Sequence, residues 1–316
     1  MASIRTAPPD LGTPASAAPD LFRQVLDAWS RASLRLQMAG ALGCLVLLGL
    51  VFWPNLRQLV HMWSTDDNYS HGFLVPLISL YFANEAAKRG PIAIRKGVGL
   101  GALFLTFAVL GRLATILVPV EILADCAFLL GLAGTCTLLF GTAALSRYGF
   151  ALFFLVFMVP LPVALYTKIA SPLQLIVSQA ASSLLNGAGI PVYREGNLMT
   201  LPGGVCMFVA EACSGIRQLT GFLALTTAVA YLVARPFWYR GILVASSIPI
   251  ALCANVTRVF LTGVIMYEVD PQYAAGTYHT FEGLLLIGFG LALLGAECWL
   301  LNLACPASVK ARAPRA

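Results

Sequence analysis

Eight long apolar runs, separated by short polar connections, dominate the chain. They cover Met38–Trp53, Ser70–Glu85, Val98–Val118, Ile122–Phe140, Gly149–Leu165, Cys213–Ala234, Trp238–Tyr267 and Phe281–Leu303. A membrane-spanning helix needs about 20 mainly apolar residues, so each run is a candidate span. Ser70–Glu85 is the weakest, being short and containing Pro76. Trp238–Tyr267 is long enough to tilt or to project beyond the bilayer. Lipid offers no partner to exposed backbone groups, so these runs predict helices. A transmembrane barrel would alternate apolar and polar residues over short segments instead. The expected fold is all-α, a polytopic transmembrane helical bundle of about eight spans.

The connections add two tails and one large loop. Residues 1–36 read as a cytoplasmic tail, disordered through the Ala-, Pro- and Ser-rich stretch to Pro19 and amphipathic over Leu21–Leu36. No apolar run closely follows Met1, so no cleavable signal peptide is expected. Residues 37–305 form the membrane domain and 306–316 a basic cytoplasmic tail. Residues 166–212 form an extracytoplasmic loop, with an amphipathic stretch at Ile169–Leu185, strand character at Tyr193–Pro202 and a turn at Gly203 and Gly204.

Composition removes the soluble alternatives. At 59% hydrophobic and 11% charged residues, the chain is unlike a soluble globular domain. The net charge of +6 does not point to nucleic acid, because the basic residues fall in short loops and tails. Arg23, Arg31, Arg35, Lys88, Arg89, Arg95, Lys96, Arg147, Arg235, Arg240, Lys310, Arg312 and Arg315 all share one side if both termini are cytoplasmic. Asp66, Asp67, Glu121, Asp125, Glu268 and Asp270 then fall on the other side. The positive-inside rule thus predicts an N-in, C-in topology.

One charge sits inside an apolar run. Arg258 lies nine residues before Tyr267, about 14 Å along a helix from the outer end of its run. A charge near mid-bilayer costs about 2.5–3.5 kcal/mol on insertion scales and usually marks a functional site. Its long side chain can reach toward the outer interface. Cys213 opens the sixth run and His279 just precedes the eighth, both on the outer side in this topology. A cation and a helix start lower a thiol pKa, so Cys213 is a candidate nucleophile. His279 is placed to carry the proton and Arg258 to stabilise an oxyanion, the chemistry of peptide cleavage through a thioacyl intermediate. Gly215 lets a substrate backbone approach closely.

Plainer roles fit the same residues. Cysteines in apolar spans are usually small core hydrophobes, and none of the eight has metal-site spacing, so neither metal nor cofactor is expected. Cys206 and Cys213 could pair in an oxidising compartment, which would silence the thiol. Asn255, three residues before Arg258, shares its helical face and can satisfy it, while Glu211 can pair with Arg217 or Arg258. A transporter also places single charges in its spans, so the residue chemistry fits a transporter as well as an enzyme. No repeat of broken helices, expected of many transporters, is evident.

Longer motifs favour the enzyme. The segment Glu211-Ala-Cys-Ser-Gly-Ile-Arg217, which includes Ser214, resembles the cysteine motif of the exosortase/archaeosortase family. Asn255-Val-Thr-Arg258 is similar to that family's N-x-x-R signature, His279 falls at its expected histidine, and Tyr69-Ser-His-Gly-Phe-Leu-Val-Pro76 resembles its N-terminal signature. The resemblance runs in motif order from about Met38 to Leu303. It implies a multi-pass inner-membrane cysteine transpeptidase or peptidase with its site on the periplasmic side. Cys213, Arg258 and His279 would be catalytic, supported by Asn255, Glu211, Ser214 and Gly215. Its partners would be membrane lipid and exported proteins ending in a Pro-Glu-Pro-type motif, a transmembrane helix and a basic cluster, with no nucleic acid. His71 reads as a structural interfacial histidine. The rival class is a transporter or a membrane subunit of an exopolysaccharide export system.

Overall fold

The computed structural model describes residues 21–24, 32–90, 97–118, 120–209, 216–269 and 277–304. The chain divides into two compact units: Met1–Gln58 with Phe73–Val159, and Leu59–Gly72 with Pro160–Ala316.

In the first unit, helices α1 (Ala32–Val51) and the start of α2 (Trp53–Thr65) are followed by α3 (Leu74–Ala87), α4 (Val98–Leu117), α5 (Glu121–Phe140) and α6 (Thr142–Phe154). A 3-10 turn, Leu155–Met158, extends α6. Helices α4 and α5 pack along their length because glycines let the backbones meet. A Cβ at Gly101 would stand 2.5 Å from the Leu138 nitrogen, one at Gly134 3.0 Å from Leu105, and one at Gly111 2.9 Å from Ala127. Phe82 of α3 stacks edge-on against Phe150 and Phe154 of α6, with centroids 5.0 and 5.1 Å away. The opposite face of α4 leaves Phe107, Leu110 and Leu113 exposed, the surface expected of a helix meeting lipid.

The second unit is organised around α7 (Val163–Gly187). Its buried stripe is Tyr166, Ala170, Gln174, Val177, Ser178, Ala181, Ser182 and Leu185, at helical spacing. Strands β1 (Tyr193–Glu195), β2 (Leu198–Leu201) and β3 (Val205–Phe208) follow as an antiparallel meander. Helices α8 (Ile216–Leu232), α9 (Phe237–Ala245), α10 (Ser247–Glu268) and α11 (Thr277–Ala304) complete the unit. One core joins Val177, Ala181 and Leu185 of α7 to Met199, Leu201 and Met207 of the sheet and Val259 of α10. A second core joins Phe222, Tyr239, Leu243, Ile250, Ala251 and Leu294 across α8 to α11.

The structure agrees with a multi-pass helical membrane protein. Among the described residues, four helices are long and apolar enough to cross a membrane, or up to six if each of two bent helix pairs counts as one span. The turn expected at Gly203 and Gly204 is present, with φ of 81° and 78°. Strand character at Tyr193–Pro202 becomes β1 and β2.

One expectation is corrected. Gly149–Leu165 is not one helix, because the chain leaves helical geometry between Met158 and Val163. Pro160 and Pro162 remove two donors and force the residue before each to be extended, as Val159 is at φ −84°, ψ 123°. The amphipathic stretch Ile169–Leu185 is the middle of α7, with its small-residue stripe buried and the opposite face exposed. Trp238–Tyr267 agrees with one membrane-crossing segment, Phe237–Glu268, in which α9 and α10 join through Ser246 in helical geometry. Pro249 sits in the first turn of α10, and helical hydrogen bonds pass through the junction, from the Ser246 N–H to the Ile242 carbonyl at 2.8 Å and from the Ile250 N–H to the Ser246 carbonyl at 3.0 Å.

Candidate functional site

Helix α10 carries the buried charge. Its inward stripe is Ser247, Ile250, Ala251, Ala254, Asn255, Arg258, Val259 and Gly263, the recurrence at steps of one, three and four that keeps one helical face inward. Asn255 is fully buried and Arg258 only 6% exposed, so the side chains expected to pair by helical spacing are both inside the protein. Small residues flank them, and Gly263 leaves no room for a side chain beside Leu185, which lets α10 lie close on α7. Val259, next to Arg258, packs into the core shared by α7 and the sheet. Thr262 donates its hydroxyl to the Arg258 carbonyl at 3.0 Å, within the helix.

Helices α8 and α11, both packed on α10, carry the neighbouring sequence motifs. Phe222 of α8 lies so close to Gly290 of α11 that a Cβ at 290 would overlap its ring. His279 falls in the first turn of α11, with its side chain outside the described residues. Cys213, with Glu211, Ser214 and Gly215, also lies outside the described residues.

The segment Leu59–Gly72 belongs to this same unit and explains part of the Tyr69–Pro76 signature. Asp67–Phe73 forms a 3-10 helix. Tyr69 is buried and donates its hydroxyl to the Leu161 carbonyl at 3.5 Å. Burial pushes its phenol above the ordinary value, so it stays a neutral donor at physiological pH. Gly72 is required because the Trp63 indole occupies the space where a Cβ would be. His71 is half-buried in the last turn of the same 3-10 helix.

Arg217, four residues beyond Cys213 in the chain, ion-pairs with Asp67, its Nη2 3.4 Å from Oδ2. Sequence reasoning offered Glu211 as its partner and counted Asp67 only as an outer-loop acid. The available signal was position, since Asp67 stands two residues before the Tyr69 signature. Among the described residues, no group of three His, Cys, Asp or Glu side chains is arranged to hold a metal.

These features define a multi-pass membrane protein that buries an asparagine and an arginine in one helical unit. The chain matches the family model described as transmembrane exosortase over residues 63–296, more than half its length, and it belongs to that family. No curated protein and no solved structure matched it significantly.

Proposed function

We propose that this chain is a membrane-embedded cysteine transpeptidase or peptidase that cleaves C-terminal sorting signals of exported proteins. The observation that carries the reading is the burial of Arg258 and Asn255 on one face of α10, inside the region matched by the family. An arginine so placed in an apolar helix is costly unless it has work to do.

The order of elements supports a common end for the three catalytic groups. Phe222, Ile250 and Gly290 mark one level, because the first two share a core and Phe222 abuts Gly290. From that level Ile216 lies six residues back along α8, Arg258 eight residues forward along α10, and His279 eleven residues back along α11. At 1.5 Å per residue these are offsets of about 9, 12 and 16 Å. Because α9 and α10 form one continuous span, α8, that span and α11 alternate in direction across short connections, and all three offsets point the same way. Cys213 precedes Ile216 by three residues in the sequence.

In this mechanism His279 takes the Cys213 proton and the thiolate attacks the scissile carbonyl. The oxyanion forms beside the Arg258 guanidinium, which can offer two donors. Asn255 orients Arg258, while Glu211, Ser214 and Gly215 shape the approach to the thiol. His279 returns the proton to the leaving amine, which departs as the carbon–nitrogen bond breaks. Water or an acceptor nucleophile then releases the thioacyl enzyme. The substrate tail carries a Pro-Glu-Pro-type motif, an apolar helix and a basic cluster. With both termini cytoplasmic, the site faces the periplasm from the inner membrane.

The test is co-expression with an exported protein bearing such a tail, followed by a blot for its processing. Wild type is expected to shorten the substrate, and Cys213→Ala and Cys213→Ser to leave it intact, since a hydroxyl lacks the low pKa a thiol reaches beside a cation. Processing by Cys213→Ala would overturn the peptidase reading in favour of a membrane subunit of an export system.

A further inference from the structure

Strand β3 closes the sheet, whose order is β1-β2-β3, and among the described residues nothing pairs with its outer edge. The register identifies the free groups. Val209 donates its backbone N–H to the Asn197 carbonyl at 2.9 Å, and the ladder continues through Met199↔Met207 and Leu201↔Val205. In an antiparallel ladder, hydrogen-bonded pairs alternate with pairs that turn their backbone groups away. Val205 and Met207 therefore point N–H and C=O at β2, whereas Cys206 and Phe208 point theirs at the open edge. The side chains of Cys206 and Phe208 are exposed, Phe208 at 58%. Met207, between them, is buried and lies against Gly263 of α10.

This edge is continuous with the candidate site. The inner face of β3 rests on α10 five residues beyond Arg258, and the chain runs from Phe208 to Cys213 in five residues. We infer that the outer edge of β3 is the docking strand for the substrate, which adds to the sheet as a fourth, extended strand. The inference rests on the peptidase reading and specifies how the peptide is held. Strand addition suits a protease that must accept several substrates, because main-chain hydrogen bonds hold any extended sequence.

The chemistry of a Pro-Glu-Pro segment fits a single edge. In a strand, residues two apart present their backbone to the same side. The two prolines therefore turn their donor-less nitrogens to one side and leave the glutamate N–H and C=O on the other. That side can exchange both bonds with Cys206 or Phe208. The proline side cannot recruit a further strand, so the addition stops at one peptide.

Binding is measured on the full chain carrying Cys213→Ala, reconstituted in nanodiscs so that no cleavage intervenes. The probes are a labelled synthetic peptide with a central Pro-Glu-Pro and its twin with an N-methylated glutamate. The twin is expected to bind about tenfold more weakly, the loss of one backbone hydrogen bond. Cys206→Pro, which removes an edge donor that makes no native ladder bond, is expected to weaken the parent peptide similarly, in protein whose melting temperature matches the parent. Equal binding of the two peptides, binding of neither, or an unaffected Cys206→Pro variant overturns the docking strand. So does oxidative cross-linking of Cys206 between two copies in most of the protein, which assigns the edge to self-association. Substrate processing by the wild type is scored in parallel. Cys213-dependent processing alongside equal peptide binding defeats the docking strand alone, whereas processing that survives Cys213→Ala defeats the peptidase reading.

Discussion

The carboxylate of Asp67 lies 3.4 Å from Nη2 of Arg217, tying the segment before the Tyr69 signature to the start of α8. Asp67 has 82% of its side chain exposed, so the contact adds at most about 1 kcal/mol to stability and weakens with salt. Its expected effect is on where α8 begins, close in sequence to Cys213. Asp67→Asn and Arg217→Gln should slow substrate processing while leaving the melting temperature nearly unchanged. The charge swap Asp67→Arg with Arg217→Asp should recover activity. No recovery in the swap would leave the pair without a positional role.

Gly72→Ala should destabilise the second unit by about 1–3 kcal/mol, the usual cost of forcing a group into a filled site. The Trp63 ring stands where the new methyl must go. Thermal unfolding in detergent measures the loss, and Trp63→Leu in the same chain should return part of it. An unchanged melting curve for Gly72→Ala would mean that the indole moves aside freely.

Arg258→Lys should insert and accumulate normally yet fail to process substrate. An ammonium is a point charge and cannot reproduce the planar pair of donors that a guanidinium offers. His279→Gln should fail in the same assay, because glutamine hydrogen-bonds but does not shuttle a proton. Normal processing in either variant would return that residue to a structural role.

The proposed N-in, C-in topology predicts which surfaces a reagent reaches. An epitope inserted at the exposed Gly203–Gly204 turn should be accessible in spheroplasts without permeabilisation. A reporter fused after Arg312 should be active only as a cytoplasmic fusion. A periplasm-active fusion at that point would reverse the orientation.

Tyr69→Phe removes the donor to Leu161, a long bond at 3.5 Å, and should cost about 0.5–1.5 kcal/mol at most. Because the folded-state pKa is raised above the ordinary 10.0, chiefly by burial, the protonated phenol's contribution is complete below pH 10 and is lost only as pH climbs beyond it. Unfolding of the wild type between pH 6 and 9 should therefore carry no signature of this group, and a Tyr69-dependent transition in that range would contradict its burial.

Much of the architecture was legible because its signals are local. Apolar run length marked the helices, the paired glycines marked the β2–β3 turn, and three-residue spacing put Asn255 and Arg258 on one face. The break after Met158 was less legible although its cause is equally local. The two prolines before Val163 lie inside an apolar run, where hydropathy averages over them.

By itself the sequence determined that this protein is a multi-pass helical membrane protein and which residue types could carry chemistry in it, since composition and periodicity need only neighbours along the chain. Only the tertiary structure decided that Ile169–Leu185 is a core stripe, that Arg217 meets Asp67, that Trp63 lies against Gly72, and that Cys206 and Phe208 face an open edge. Each of these depends on which surfaces touch across long separations, and many sequences with the same pattern of apolar and polar positions would allow other contacts.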